Sequence, residues 1–198
     1  MELYYYKATI TDIYNSRTAI TADIELGFGV YKENVKLRLE SIISKENKVL
    51  VPTSMEELKE LLLDKEVIIH SKSHCVDDRW LCDIILGDCG HLYNYNANII
   101  SVYDGDTVTA NFDLGFYTKF TEKKIRLYGI NTPELRGESR EAGLISRDWL
   151  RERVLHKLIQ VKTFKDSTGK YGRYLGELFV KDENLNQLLL ENNLAKPY

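Results

Sequence analysis

The chain has 198 residues, 43% of them apolar and 29% charged, with a formal net charge of -3. That is the balance of a globular protein, and no apolar run approaches the ~18 residues that a membrane-spanning helix needs. The length suffices for one large domain or two small ones, since a core becomes self-sufficient at roughly 60 to 100 residues.

The opening Met1-Glu2-Leu3-Tyr4-Tyr5-Tyr6-Lys7 has no basic head followed by an apolar stretch, so no secretory leader is expected and the protein reads as intracellular. Ile20-Thr21-Ala22-Asp23-Ile24-Glu25-Leu26-Gly27-Phe28 alternates apolar with polar residues, the pattern of a half-buried strand. Lys36-Leu37-Arg38-Leu39 continues in the same manner. Ser54 followed by Glu57 has capping-box spacing and predicts a helix start, with Met55, Leu58, Leu61 and Leu62 on one face. Leu61 to Ile69 reads as a helix end running into a strand, and Arg79-Trp80-Leu81 opens another strand.

Cys75, Cys82 and Cys89 are odd in number and seven apart, which suits neither a disulfide framework nor a paired structural zinc motif. Reduced thiols are expected; with His70, His74 and His91 nearby, a zinc site is the alternative. Gly87-Asp88-Cys89-Gly90-His91-Leu92-Tyr93-Asn94-Tyr95-Asn96 is rich in glycine and asparagine and predicts a domain boundary, dividing the chain into 1–97 and 98–198.

The second half repeats the first at an offset of about 88 residues. Val108-Thr109-Ala110-Asn111-Phe112-Asp113-Leu114-Gly115-Phe116 parallels Ile20–Phe28, and Lys124-Ile125-Arg126-Leu127 parallels Lys36–Leu39. Arg153 to Val161 parallels Leu61–Ile69, and Arg173-Tyr174-Leu175 parallels Arg79–Leu81. The helix of this half is expected to pack through Leu144, Trp149, Leu150 and Val154. Leu185–Glu191 predicts a terminal helix without a counterpart in the first half. Charge divides unevenly: residues 1–97 hold 11 basic and 16 acidic groups, residues 98–198 hold 16 and 14. A phosphate backbone should prefer the second half.

Three blocks of that half carry chemistry. Asp104-Gly105-Asp106-Thr107 is a turn ahead of a strand, where Asp106 can offer a hard cation a charged oxygen while Asp104 holds the turn or a bound water. Such a pair alone is more often just a turn. Arg126-Leu127-Tyr128-Gly129-Ile130-Asn131-Thr132-Pro133-Glu134 puts an arginine on a strand and a carboxylate after a proline-stiffened loop. Lys170-Tyr171-Gly172-Arg173 adds a second guanidinium. Phosphodiester hydrolysis requires an activated water, a route for its proton and compensation of charge on the nonbridging oxygens. Glu134 can orient or deprotonate the water, and two guanidiniums can hold phosphate oxygens through paired hydrogen bonds that a lysine would not reproduce.

Together, and in this order, these blocks resemble the signature blocks of the staphylococcal nuclease family, over roughly residues 99–198. The resemblance implies a mainly β fold with packed helices: an OB-fold barrel, here in tandem. It also implies hydrolysis of DNA and RNA with a divalent cation, calcium in the family and magnesium as the alternative. By position it assigns metal ligation to Asp106, Asn131 and the Thr132 carbonyl, water activation to Glu134, phosphate contacts to Arg126 and Arg173, and nucleotide contacts to Lys170, Tyr171 and Tyr198. The family has aspartate where this chain has Asn131, which contributes an oxygen but no charge.

Set over the second half, the first places Arg17 opposite Asp106 and Ile43 opposite Asn131, while Arg38, Glu46 and Arg79 fall opposite Arg126, Glu134 and Arg173. A guanidinium in place of the carboxylate repels a cation, so 1–97 is expected to be a degenerate, noncatalytic barrel, either a structural partner or a docking module for nucleic acid or protein. Two functions follow. One is a metal-dependent endonuclease acting on single-stranded or flexible nucleic acid, whose bases can splay and stack on tyrosines. The other is a tandem module that binds nucleic acid or protein without cutting.

Overall fold

The computed structural model describes residues 4–15, 20–36, 42–44, 46, 48–76, 79–86, 93–168 and 174–198, and gives only the backbone of 4–6, 70–76, 79–82 and 165–168. The chain forms two compact units, one of Met1–Tyr93 with Leu114–Thr118, the other of Asn94–Asp113 with Lys119–Tyr198. Among the described residues no helix is long and apolar enough to cross a membrane.

The first unit contains β1 (Tyr4–Asn15), β2 (Ile20–Glu25), β3 (Tyr31–Lys36), β4 (Ile42–Ile43), helix α1 (Met55–Leu62), β5 (Glu66–Val76) and β6 (Arg79–Leu86). Its antiparallel path runs β6-β5-β1-β2-β3, with β4 parallel to β6. Ser54 caps α1 as the sequence predicts, accepting the Glu57 N–H at 3.1 Å. The Glu57 carboxylate departs from the expected reciprocal bond: it takes the Thr53 N–H at 2.7 Å and the Thr53 hydroxyl at 2.9 Å. These bonds hold its carboxyl below the usual range. Leu58 and Leu62 are the fully buried members of the helix stripe; Met55 and Leu61 flank it half-buried.

The second unit contains β7 (Tyr93–Asp104), β8 (Thr107–Asp113), β9 (Lys119–Leu127), β10 (Ile130–Asn131), a 3-10 turn Gly137–Ser139, α2 (Arg140–Val154), β11 (Leu158–Thr168), β12 (Tyr174–Val180), β13 (Glu183–Asn184), α3 (Leu185–Glu191) and β14 (Lys196–Pro197). The path β11-β12-β9-β8-β7 returns on itself through a β11–β7 pairing and closes a five-stranded, OB-like barrel. β13 pairs with β12, and β10 with β14. Alternation drives closure: Val108, Ala110 and Phe112 on β8 face Ile125 and Leu127 on β9, Val161 on β11 and Leu178 on β12, all buried.

Two local readings change. β7 begins at Tyr93, inside the stretch read as a boundary loop, because Tyr93, Tyr95 and Ala97 are core residues and Tyr95 meets Phe112 edge to face at 5.8 Å. On α2 the buried residues are Gly143, Ser146, Leu150 and Val154. Leu144 and Trp149 flank them half-buried, and the Trp149 ring instead receives the Arg153 guanidinium at 3.8 Å. The helix needs small residues where it lies against backbone, and a periodicity counted on large apolar side chains misses them. The terminal helix falls on Leu185–Glu191 as expected. Cys89 and His91 lie outside the described residues, and of Cys75, Cys82, His70 and His74 only the backbone is described.

One set of backbone bonds recurs in both halves of the sequence. Leu26 N–H donates to Val30 O and Val30 N–H to Gly27 O; Leu114 donates to Thr118 O and Thr118 to Gly115 O. Both hairpin turns run through residues with positive φ, Gly27, Phe28 and Gly29 in one, Gly115, Phe116 and Tyr117 in the other. Asn34 and Glu122, also at positive φ, donate their N–H groups to the side chains of Asp23 and Asn111. Ile10 accepts from Asp64 N–H and donates to Lys65 O, and Ile99 does the same with His156 and Lys157.

Candidate functional site

The site is built where three pieces of the second unit meet: the β7–β8 turn, the end of β9 with the loop behind β10, and the segment that ends in β14. The Asp104 carboxylate accepts the Asp106 N–H at 3.1 Å and so fixes the turn, and Leu127 N–H on β9 donates to Asp106 O at 2.8 Å. Gly105 is required here, since a Cβ at this position would lie 2.7 Å from the Thr132 methyl and 2.8 Å from Ser146 Cβ.

Asp106 is 6% exposed and has both carboxylate oxygens engaged. Oδ2 accepts the Thr132 N–H at 2.7 Å and the Thr132 hydroxyl at 2.9 Å; Oδ1 accepts the Thr107 hydroxyl at 3.3 Å and lies 3.3 Å from Arg126 Nη1. Arg126 also donates from Nη1 to Leu127 O at 2.9 Å and from Nη2 to Asn131 Oδ1 at 3.0 Å. Two oxygens singled out in the sequence, Asp106 Oδ1 and Asn131 Oδ1, therefore face two nitrogens of one guanidinium. Burial pushes the Asp104 carboxyl above the ordinary carboxylate range, and the charge of Asp106 adds to the shift.

Asn131 and Thr132 are held from the far end of the chain. β10 pairs with β14, Ile130 with Pro197 and Asn131 with Lys196, and Tyr198 N–H donates to Gly129 O at 3.0 Å. The Ser146 hydroxyl, 1% exposed, anchors the same segment by donating to Leu194 O at 2.7 Å. The Tyr198 ring, 91% exposed, lies 5.7 Å from the Arg126 guanidinium carbon. Ser146, Gly143 and Asn186 hold the surroundings of this corner in place, and sequence reading missed them. Asn186 is 4% exposed, donates to Tyr128 O and Gly176 O and accepts the Leu178 N–H, so that it ties the end of β9 to β12. The one available signal was a polar residue in an apolar helical stripe.

Glu134 is exposed two residues beyond Thr132, and among the described residues its carboxylate meets no partner. Its carbonyl accepts the Ser139 hydroxyl at 3.3 Å. Helix α2 lies so close that a Cβ at Gly143 would sit 2.5 Å from Glu134 O and 2.7 Å from Pro133 O. The structure thus brings together Asp104, Asp106, Arg126, Asn131, Thr132 and Tyr198. Lys170, Tyr171 and Arg173 lie outside the described residues. Among the described residues no group of three or more His, Cys, Asp or Glu is placed to hold a metal ion. The side-chain oxygens gathered at this corner, the Asp106 carboxylate and the Asn131 amide, suit a hard cation in kind and supply one formal charge.

Residues 124–198, in the C-terminal part of the chain, match the model of the family described as staphylococcal nuclease homologue. Asp106 precedes the matched stretch, yet hydrogen bonds and an ion pair join it to Thr132 and Arg126 within it. No curated protein matches the chain. A nuclease-type domain on an OB-like barrel points to nucleic acid as the class of ligand.

Proposed function

We propose that the second unit is a metal-dependent endonuclease that hydrolyses phosphodiester bonds of single-stranded or flexible DNA or RNA. The observation that carries this reading is the shared guanidinium: Arg126 joins Asp106 and Asn131 at the mouth of a loop whose next acidic residue, Glu134, is exposed and unpaired among the described residues. Asp106 Oδ1, Asn131 Oδ1 and the Thr132 carbonyl would hold a divalent cation, calcium before magnesium. Bound there, it would supply Lewis-acid polarisation of the phosphate.

The chain's own groups supply the rest. Arg126, kept in a fixed orientation by Leu127 O and Asn131, compensates charge on a nonbridging oxygen. Glu134, free in solvent, takes the proton of the attacking water. Arg173 holds a second phosphate oxygen, Lys170 and Tyr171 flank the nucleotide, and Tyr198 stacks near Arg126. Asp104 acts through the turn it fixes. The first unit we read as a degenerate copy, since the turn, bulge and helix-end bonds recur while Ile43 replaces the Asn131 oxygen. It serves as a structural partner or as a docking surface for protein or nucleic acid.

One observation favours a second reading, a module that binds without cutting: Asn131 brings no charge, and Arg126 already neutralises Asp106. Labelled single-stranded DNA incubated with wild type, Glu134→Gln and Asp106→Asn, in Ca2+, Mg2+ or chelator, separates the two. The enzyme reading expects cleavage that stops in chelator and falls by about 10²- to 10⁴-fold in Glu134→Gln. Binding with no cleavage in either cation supports the second reading, and equal cleavage by all three proteins refutes the site.

A further inference from the structure

Beside Arg126, the barrel carries an aromatic pair that the proposed chemistry does not use. Ile125 and Leu127 are buried in the barrel while Arg126 between them is half-buried, and Tyr128, the first residue beyond β9, is exposed. β12 runs parallel to β9 there, with Leu175 opposite Arg126, and Tyr128 N–H donates to Gly176 O at 2.8 Å. On β11, Thr163 lies opposite Gly176; both are buried, which turns the next residue, Phe164, outward beside them. The Tyr128 and Phe164 rings meet with centroids 4.4 Å apart at a tilt of 39°.

A pair that served only to seal the barrel wall would hide both rings, but Tyr128 is 48% exposed. Its mount is rigid. Besides the bond to Gly176, its carbonyl accepts the Asn186 side chain at 2.9 Å, and Asn186 is itself buried. A ring fixed at its backbone and backed by a second ring loses little freedom when a third plane stacks on it. The next backbone position, Gly129, bonds to the exposed Tyr198, whose ring lies near the guanidinium. Two exposed rings are thus anchored at the adjacent residues Tyr128 and Gly129, directly after the strand that carries Arg126.

We infer that Tyr128, backed by Phe164, is a stacking platform for a base of single-stranded nucleic acid whose phosphate lies on Arg126. The inference rests on the reading of Arg126 as a phosphate ligand. A duplex keeps its bases stacked internally and cannot use the platform, so Tyr128 confers a preference for single strands.

The test measures equilibrium binding of the full-length chain in chelator, where cleavage does not intervene. The probes are fluorescent single-stranded DNA, an abasic strand of equal length and charge, and a duplex. Tyr128→Ala should weaken binding of the base-bearing strand by about 5- to 150-fold, the worth of one base–aromatic stack. It should leave the abasic strand within about twofold of wild type. Tyr128→Phe should retain affinity, and Tyr128→Leu, which still covers Phe164, should lose it. Equal weakening on both strands, or full affinity in Tyr128→Leu, overturns the platform. Arg126→Ala should weaken both strands. If it weakens neither, the phosphate reading fails and the platform with it; if both strands depend on Arg126 and Tyr128 variants do not discriminate them, the platform alone fails.

Discussion

Gly143 offers the sharpest check on whether helix α2 sets the position of Glu134. A Cβ there would lie 2.5 Å from Glu134 O and 2.7 Å from Pro133 O, whereas ordinary contact needs about 3.4 Å. Gly143→Ala therefore forces a separation of roughly 0.9 Å between the helix and the backbone that carries the carboxylate. Overpacking of this kind costs about 1–3 kcal/mol, and alanine recovers ~1 kcal/mol of helix propensity, so the net loss of stability is about 0–2 kcal/mol. A displacement near 1 Å at a reacting group is worth about 10²-fold in rate. The expected outcome is a folded protein whose kcat on single-stranded DNA falls by about 10- to 100-fold, with denaturant unfolding measured in parallel. If the loss acts through Glu134, Gly143→Ala costs nothing further in a Glu134→Gln background. Wild-type turnover in Gly143→Ala, or losses that simply multiply in the double variant, would refute the reasoning.

Asn131→Asp adds a carboxylate where the second unit now has an amide, and should tighten Ca2+ binding by at least tenfold in calorimetry, because a second formal charge joins Asp106; unchanged affinity would remove Asn131 from the cation's ligands. Asn186→Ala takes the side-chain partner from the Leu178 N–H and the Tyr128 carbonyl and leaves Gly176 O with the Tyr128 N–H, at a cost of about 2–4 kcal/mol by denaturant unfolding. Ser54→Ala removes the cap of α1 and should cost ~1 kcal/mol. Glu57, whose carboxyl sits below its ordinary range, contributes stability that is present above its unfolded pKa and lost as pH falls through the folded one. Thr53→Val, by removing the hydroxyl bond, should bring its NMR titration midpoint upward.

What the sequence made legible was local. Asp104–Thr107 and Arg126–Glu134 each hold their chemistry within a few consecutive residues, and the structure brings five of their members, Asp104, Asp106, Arg126, Asn131 and Thr132, onto common bonds. The alternation in Ile20–Glu25 and Thr107–Asp113 could be read because burial on one face imposes period two. Gly143, Ser146 and Asn186 could not, since each owes its identity to what lies opposite: the 133–134 backbone, Leu194 O, and the carbonyls of Tyr128 and Gly176. Trp149 misled because a large ring can lie along a helix flank and take a cation there as readily as it can enter the core. Phe28 and Phe116 at positive φ run against intrinsic preference, and their cost, on the order of 1–2 kcal/mol each, is met by hairpin bonds that no single-residue reading contains.

The difference between the two units is concentrated at one corner, and its physics explains why a site occurs in only one of them under the proposed reading. In the first unit the strand Ile42–Ile43 is held by its own neighbours: Leu50 N–H donates to Ile42 O, Ser44 N–H to Lys48 O, and Ile43 bridges Val49. The chain spends its next residues on closing that hairpin. In the second unit Ile130–Asn131 is held instead by Lys196–Pro197, a segment fastened through Leu194 to Ser146 and through Ala195 to Leu189. Because the tether comes from a distant part of the chain, the residues directly after Asn131 are released from backbone pairing with one another. Thr132 can then turn both its N–H and its hydroxyl onto Asp106, and Glu134 can remain in solvent. The corner that gained a remote tether is the one with room for chemistry, so loosening the tether at Ser146 should disturb Asn131 and Arg126 before it disturbs the barrel.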